Sequence, residues 1–142
     1  MGSQLGEGRI VVGAARTERA DSIDLVRRWF DAIAAADLPT AATLMAEPCT
    51  ITISGGHRFT RLEDFMAYGA RRYQAVRKRA DQFEACEAAG GLAVYVTGEM
   101  SGSWADGMAF AGVRWCDRFL LRSGRIAELQ TWSDLAETRI DP

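Results

Sequence analysis

Residues 81–134 read DQFEACEAAGGLAVYVTGEMSGSWADGMAFAGVRWCDRFLLRSGRIAELQTWSD, and their patterning decides the fold. From Asp81 onward apolar and polar residues alternate, the period of a half-buried strand. Three turn signals, Ala89-Gly90-Gly91, Ala105-Asp106-Gly107 and Ser123-Gly124, divide the stretch into four strand-like runs. The second and third, over 92–104 and 108–122, are long enough that they must coil to stay within a compact domain. Gly98, Gly102 and Gly112 can supply the bends.

Upstream, the period is helical. Ile23, Val26, Phe30 and Ile33 recur at helical spacing behind Asp21-Ser22, whose side chains can accept the first free N–H groups, which predicts a helix over 22–36. Pro39 opens a shorter helix to about Ala46, and Pro48 stops it. The β-branched alternation of Cys49-Thr50-Ile51-Thr52-Ile53 predicts a strand ended by Gly55-Gly56. Thr60 with Glu63 forms a capping-box pattern for a third helix reaching about Arg79, with Leu62, Phe65, Met66, Gly69, Tyr73 and Val76 on one face. Helices followed by a meander make an α+β domain, a curved antiparallel sheet around three N-terminal helices. The space between the concave sheet face and the helices is the natural ligand site. Residues 1–19, rich in Gly and polar side chains, are expected to form a flexible leader.

Composition removes several function classes. The chain has 142 residues, 48% hydrophobic and 25% charged, with a formal net charge of −2, so nothing global favours nucleic acid or an anionic membrane as partner. The basic group Arg71, Arg72, Arg77, Lys78 and Arg79 is read as a solvated helix face and end. Cys49, Cys86 and Cys116 are odd in number and widely spaced, which fits reduced thiols and a cytoplasmic address. His57 is the one histidine, so no metal site built on several imidazoles is expected. The sequence carries no phosphate-cradling glycine loop and no GxSxG elbow, and no cofactor is expected.

Leu25-Val26-Arg27-Arg28-Trp29-Phe30-Asp31-Ala32-Ile33, Asp37, Asp106-Gly107-Met108-Ala109-Phe110, Val113 through Phe119, Gly124-Arg125-Ile126 and Trp132-Ser133-Asp134-Leu135 carry a family likeness. Together they resemble the nuclear transport factor 2-like superfamily, and within it the SnoaL-like branch, over about residues 20–138 of a domain expected to span residues 20–142. The resemblance implies a cone-shaped sheet and a pocket within it. It does not by itself choose among polyketide cyclases, ketosteroid isomerases, epoxide hydrolases and non-catalytic binding domains.

Strand registers can be projected from the turns. A two-residue hairpin at Ser123-Gly124 pairs Arg122 with Arg125, and strict continuation sets Phe119 opposite Glu128, Asp117 opposite Gln130 and Trp115 opposite Trp132. A three-residue loop at Ala105-Asp106-Gly107 pairs Trp104 with Met108 and adds Tyr95 and Glu99 to the same face. On that projection Tyr95, Glu99, Trp115, Asp117, Gln130, Trp132 and Asp134 share the pocket face. The resemblance implies an acid/base aspartate in the late strands, and Trp132-Ser133-Asp134 matches the Trp-x-Asp of the superfamily's epoxide hydrolases. The stretch Thr97 to Ser101 lacks the arginine those enzymes use.

The resulting expectation is a cofactor-free lyase, isomerase or cyclase acting on a small hydrophobic or aromatic molecule. Asp134 would serve as acid/base with Glu99 or Tyr95 assisting, and Trp115, Trp132, Asp117, Gln130, Tyr73 and His57 would contact the substrate. The alternative is a non-catalytic ligand-binding or association domain of the same fold. A homodimer through the outer sheet face is expected under either, from Cys116, Leu120 and Leu129 among polar neighbours.

Overall fold

The computed structural model describes residues 2–139, with side chains from residue 17 onward. The leader expected over 1–19 lies largely outside the described side chains. Among the described residues, three helices, α1 (Gly2–Ala34), α2 (Leu38–Thr43) and α3 (Leu62–Arg72), accompany six strands. These are β1 (Met45–Thr52), β2 (Arg58–Phe59), β3 (Tyr73–Ala88), β4 (Gly91–Trp104), β5 (Ala109–Arg122) and β6 (Arg125–Ser133), followed by a 3-10 turn at Leu135–Arg139. The sheet order is β2-β1-β6-β5-β4-β3, antiparallel throughout except for the parallel β1–β6 pair. This is the α+β class expected, a curved, unclosed sheet with helices on its concave side. No helix among the described residues is long and apolar enough to cross a membrane.

Burying the apolar stripe of α1 holds the layers together. Leu25, Val26, Trp29 and Ala32 pack in one core with Val94, Val96, Met100, Val113, Trp115, Phe119 and Leu129 of the sheet. The helix does not start at Asp21-Ser22 as predicted. It runs on from Gly2, and Ser22 is buried within it. At its other end Ala36 adopts a left-handed φ of 55°, while Asp37 N–H donates to Ala32 O and Ala36 N–H to Ile33 O. Asp37 then caps α2, accepting from the Thr40 backbone N–H and hydroxyl, and these bonds hold its carboxyl below the usual range.

Two predicted boundaries move for a common reason: strand pairing overrides local helical pattern. α2 stops at Thr43 because Met45 joins the sheet beside Ile126, so β1 begins four residues earlier than the predicted strand. α3 stops at Arg72, not Arg79, because Tyr73 onward pairs along β4. The capping box also fails to form: Arg61 occupies the N-cap without a side-chain bond and instead pairs with Glu63.

Both hairpins form as projected at their turns. Arg122 pairs with Arg125, and Trp104 N–H donates to Met108 O with Gly107 at φ 91°. A bulge then interrupts each ladder. Ala111 and Gly112 (φ 66°) oppose the single residue Ser101, so that Met100 pairs with Val113. Ala127 is the extra residue opposite Leu120 and Leu121, so that Phe119 pairs with Leu129. A one-residue shift in a period-two element reverses its faces.

β3 carries two register shifts of its own, between Tyr73 and Ala75 and, at Asp81, between Ala80 and Gln82, and beside the second its backbone comes close to Gly98 of β4. A Cβ on Gly98 would stand 1.8 Å from Arg79 O and 3.0 Å from Trp115 Cζ2, so glycine is required for this approach. Gly98→Ala is therefore expected to destabilise the fold by about 2–3 kcal/mol. Urea denaturation measures this, and an unchanged midpoint would contradict the close approach.

Candidate functional site

The bulges sort the projected site residues onto opposite faces. Trp115 and Asp117 of β5 stay on the concave face, with Val96, Gly98 and Met100 of β4 and Leu129 and Thr131 of β6 beside them. Tyr95, Glu99, Gln130, Trp132 and Asp134 remain together, but on the convex face with Arg114, Cys116 and Arg118. Trp132 is 50% exposed there. The projection from the turns grouped these five correctly and misplaced them relative to Trp115 and Asp117, because it carried strict alternation through two bulges.

Inside the cone, Asp117 is 1% exposed. Its Oδ2 accepts from Lys78 Nζ at 2.7 Å, and its Oδ1 accepts from the Thr131 hydroxyl. Lys78 comes from β3, where it pairs with Met100, and its side chain keeps 29% exposure. The ammonium lies 4.1 Å from the Trp115 ring centre and 5.6 Å from that of Phe30. Phe30 contacts Trp29, Phe83, Trp115 and Phe119 in turn. The indole N–H groups of Trp29 and Trp115 are buried with no hydrogen-bond partner among the described residues. The arrangement is a buried carboxylate and a half-open ammonium on an aromatic wall.

Lys78 and Thr131 were missed by the sequence reading. Lys78 looked like part of a solvated basic helix end. Its parity with Val76 and Ala80 was the available signal, since Val76, Lys78 and Ala80 share one strand face and Arg77 and Arg79 the other. Thr131 was projected outward by the missing Ala127 bulge.

The convex face forms an open groove of about 500 Å³ lined by Glu99, Arg114, Cys116, Trp132 and Asp134, among others. Asp134 accepts from Arg114 Nε at 2.6 Å, and Arg79 spans Asp81 at 2.7 Å and Glu99 at 3.6 Å. Tyr95 accepts from Arg118 Nε at 3.3 Å. Burial, then the neighbouring Asp117 charge, pushes the Cys116 thiol up. Exposed pairs of this kind contribute little stability.

Tyr73 packs at the edge of the core, and His57 lies in the loop between β1 and β2. Tyr73 stacks on Trp104 at 5.3 Å and meets Phe110 at 6.0 Å, and burial pushes its phenol up. His57 is exposed, with its ring 5.7 Å from that of Tyr68. Neither reaches Asp117 through a contact in the structure.

A family model for the SnoaL-like domain matches residues 26–129, most of the chain. The chain belongs to the SnoaL-like domain family. Solved structures with the same fold include an NTF2-like protein of unknown function from Burkholderia pseudomallei, at TM-score 0.70 and 17% identity, covering 82% of this chain and 93% of that one. TerC, co-crystallised with polyporic acid, superposes at TM-score 0.70 and 13% identity, over 84% of the SnoaL-like chain and 95% of its own. A candidate SnoaL-like polyketide cyclase from Jannaschia superposes at TM-score 0.70 and 15% identity, over 86% and 91%. At these identities the likeness is one of fold. No curated protein matches the sequence.

Proposed function

We propose that this SnoaL-like chain is a cofactor-free lyase, isomerase or cyclase that acts on a small hydrophobic molecule by carboxylate acid–base chemistry at Asp117. The observation that carries this reading is a carboxylate buried to 1% exposure whose partner, Lys78, still reaches solvent. A purely structural ion pair has no need of an open side, whereas a proton-transfer site does.

The chemistry follows from the two groups. A substrate carbonyl entering beside Lys78 draws the ammonium onto its oxygen and frees Asp117 Oδ2. The carboxylate then takes the proton alpha to the carbonyl, and the C–H electron pair moves to an enolate oxygen held by Lys78. Return of the proton at another carbon isomerises the substrate. Loss of a β-substituent completes an elimination, and attack on a second carbonyl closes a ring. Thr131 keeps the other carboxylate oxygen in place, and the Trp115 and Phe30 rings exclude water. Asp134, Glu99 and Tyr95 take no part in this reading, because they lie on the other face of the sheet.

Alpha-proton exchange tests the reading without knowledge of the natural substrate. Proton NMR in D2O, with 2-tetralone and related hydrophobic ketones, reads the rate. Asp117→Asn is expected to slow catalysed exchange by about 100-fold or more, and Asp134→Asn to leave it intact. Exchange at the wild-type rate in Asp117→Asn would refute the assignment. A wild type that exchanges no ketone would favour the second reading, a non-catalytic binding or association domain.

The convex face favours association in either case. It carries exposed Trp132 and Tyr95 among arginines and acids of balanced sign, a composition suited to pairing with a second copy. Leu129, expected to contribute there, faces the core instead, and Leu120 is buried. A homodimer through Trp132 is expected to become a monomer in Trp132→Glu. Sedimentation equilibrium measures this, and a wild-type monomer would contradict it.

A further inference from the structure

The seam between α1 and β3 carries two cations that the proposed chemistry does not exhaust. Lys78 has three N–H donors and one carboxylate partner, Asp117. Its remaining directions meet the Trp115 and Phe30 rings and solvent. One helical turn before Phe30, Arg27 lies with its guanidinium carbon 4.0 Å over the Phe83 ring. Arg28, its neighbour, pairs with Asp24 at 3.2 Å, whereas Arg27 has no carboxylate partner among the described residues. Phe30 and Phe83 meet edge to face at 6.3 Å between the two cations.

We propose that this seam recognises an aromatic anion: a flat ring against Phe30 and Phe83, with a carboxylate or phenolate oxygen taken by Arg27 and the free side of Lys78. The inference rests on the reading of Asp117 and Lys78 as the working pair and names the class of substrate presented to it. Three features converge on an anion and not on a neutral ring. Arg27 offers a planar fork of donors with no competing acid. The Phe83 face already orients that fork. And the chain, although negative overall, places no acid other than Asp117 among the groups in contact with these two cations.

Isothermal titration with 2-naphthoate and its neutral isostere 2-naphthamide tests the proposal without turnover. The wild type is expected to favour naphthoate by about tenfold at low salt, with the preference shrinking as salt rises. Arg27→Gln, a change at an exposed helix position, is expected to weaken naphthoate while leaving naphthamide unchanged. Arg27→Gln with Lys78→Met, its folding checked by circular dichroism, should remove the preference altogether. Equal affinities for the two probes, no binding of either, or full naphthoate affinity in the double variant would each overturn the proposal. Loss of α-proton exchange in Asp117→Asn together with equal affinities would refute the anion site and leave the catalytic reading standing. A naphthoate preference in a chain without exchange activity would support the site and count against the catalytic reading alone.

Discussion

A carboxylate sealed inside an apolar core must be paired, because an unpaired charge there costs several kcal/mol after relaxation. Asp117 is that carboxylate, and much of the interior follows from satisfying it. Lys78 has to face inward, so residues 73–80 have to be strand and not the end of a helix. Thr131 has to stand on the same face, which the extra residue Ala127 arranges. Trp115 shields the ammonium from the side, and its ring lies against Gly98, where a side chain would collide with the backbone of β3. One buried charge thus ties together three strands of the sheet.

The same requirement explains why the cone has a chemically distinct inside and outside. On the convex face the acids Glu99 and Asp134 meet arginines in water, where pairs form and break at little cost. Inside, a pair of the same charges is held at 2.7 Å by packing from three sides and opens only along Lys78. Proton transfer needs a carboxylate whose surroundings can change when a ligand arrives. The interior pair is buried and reaches solvent only at Lys78, whereas the exterior pairs are already solvated.

The fold was legible because its signals are compositional and repeated. Turn residues at Gly90-Gly91, Gly107 and Gly124 mark the hairpins, and the apolar stripe of α1 is unmistakable. The site was legible only in part. Turn chemistry fixes the register at the turn, but a bulge beyond it leaves no clear mark in one sequence. Gly112, with its left-handed φ, could have suggested the first bulge; Ala127, an ordinary residue, could not have suggested the second. Two such insertions were enough to carry Asp134 and Glu99 to the outer face and leave Asp117 as the interior acid. Lys78 was hidden for a different reason. Its stretch satisfies helical spacing as well as alternation, and pairing along β4 decides between them.

The claim at the centre of this account is that Lys78 and Asp117 act as one buried unit, and a double-mutant cycle measures that directly. Lys78→Met, Asp117→Asn and the combined variant, each unfolded in urea beside the wild type, give the coupling free energy between the two side chains. The account predicts a coupling of about 2 kcal/mol or more, well above that of the exposed Arg114–Asp134 pair in a parallel cycle. A coupling near zero, no larger than that of the exterior pair, would contradict it.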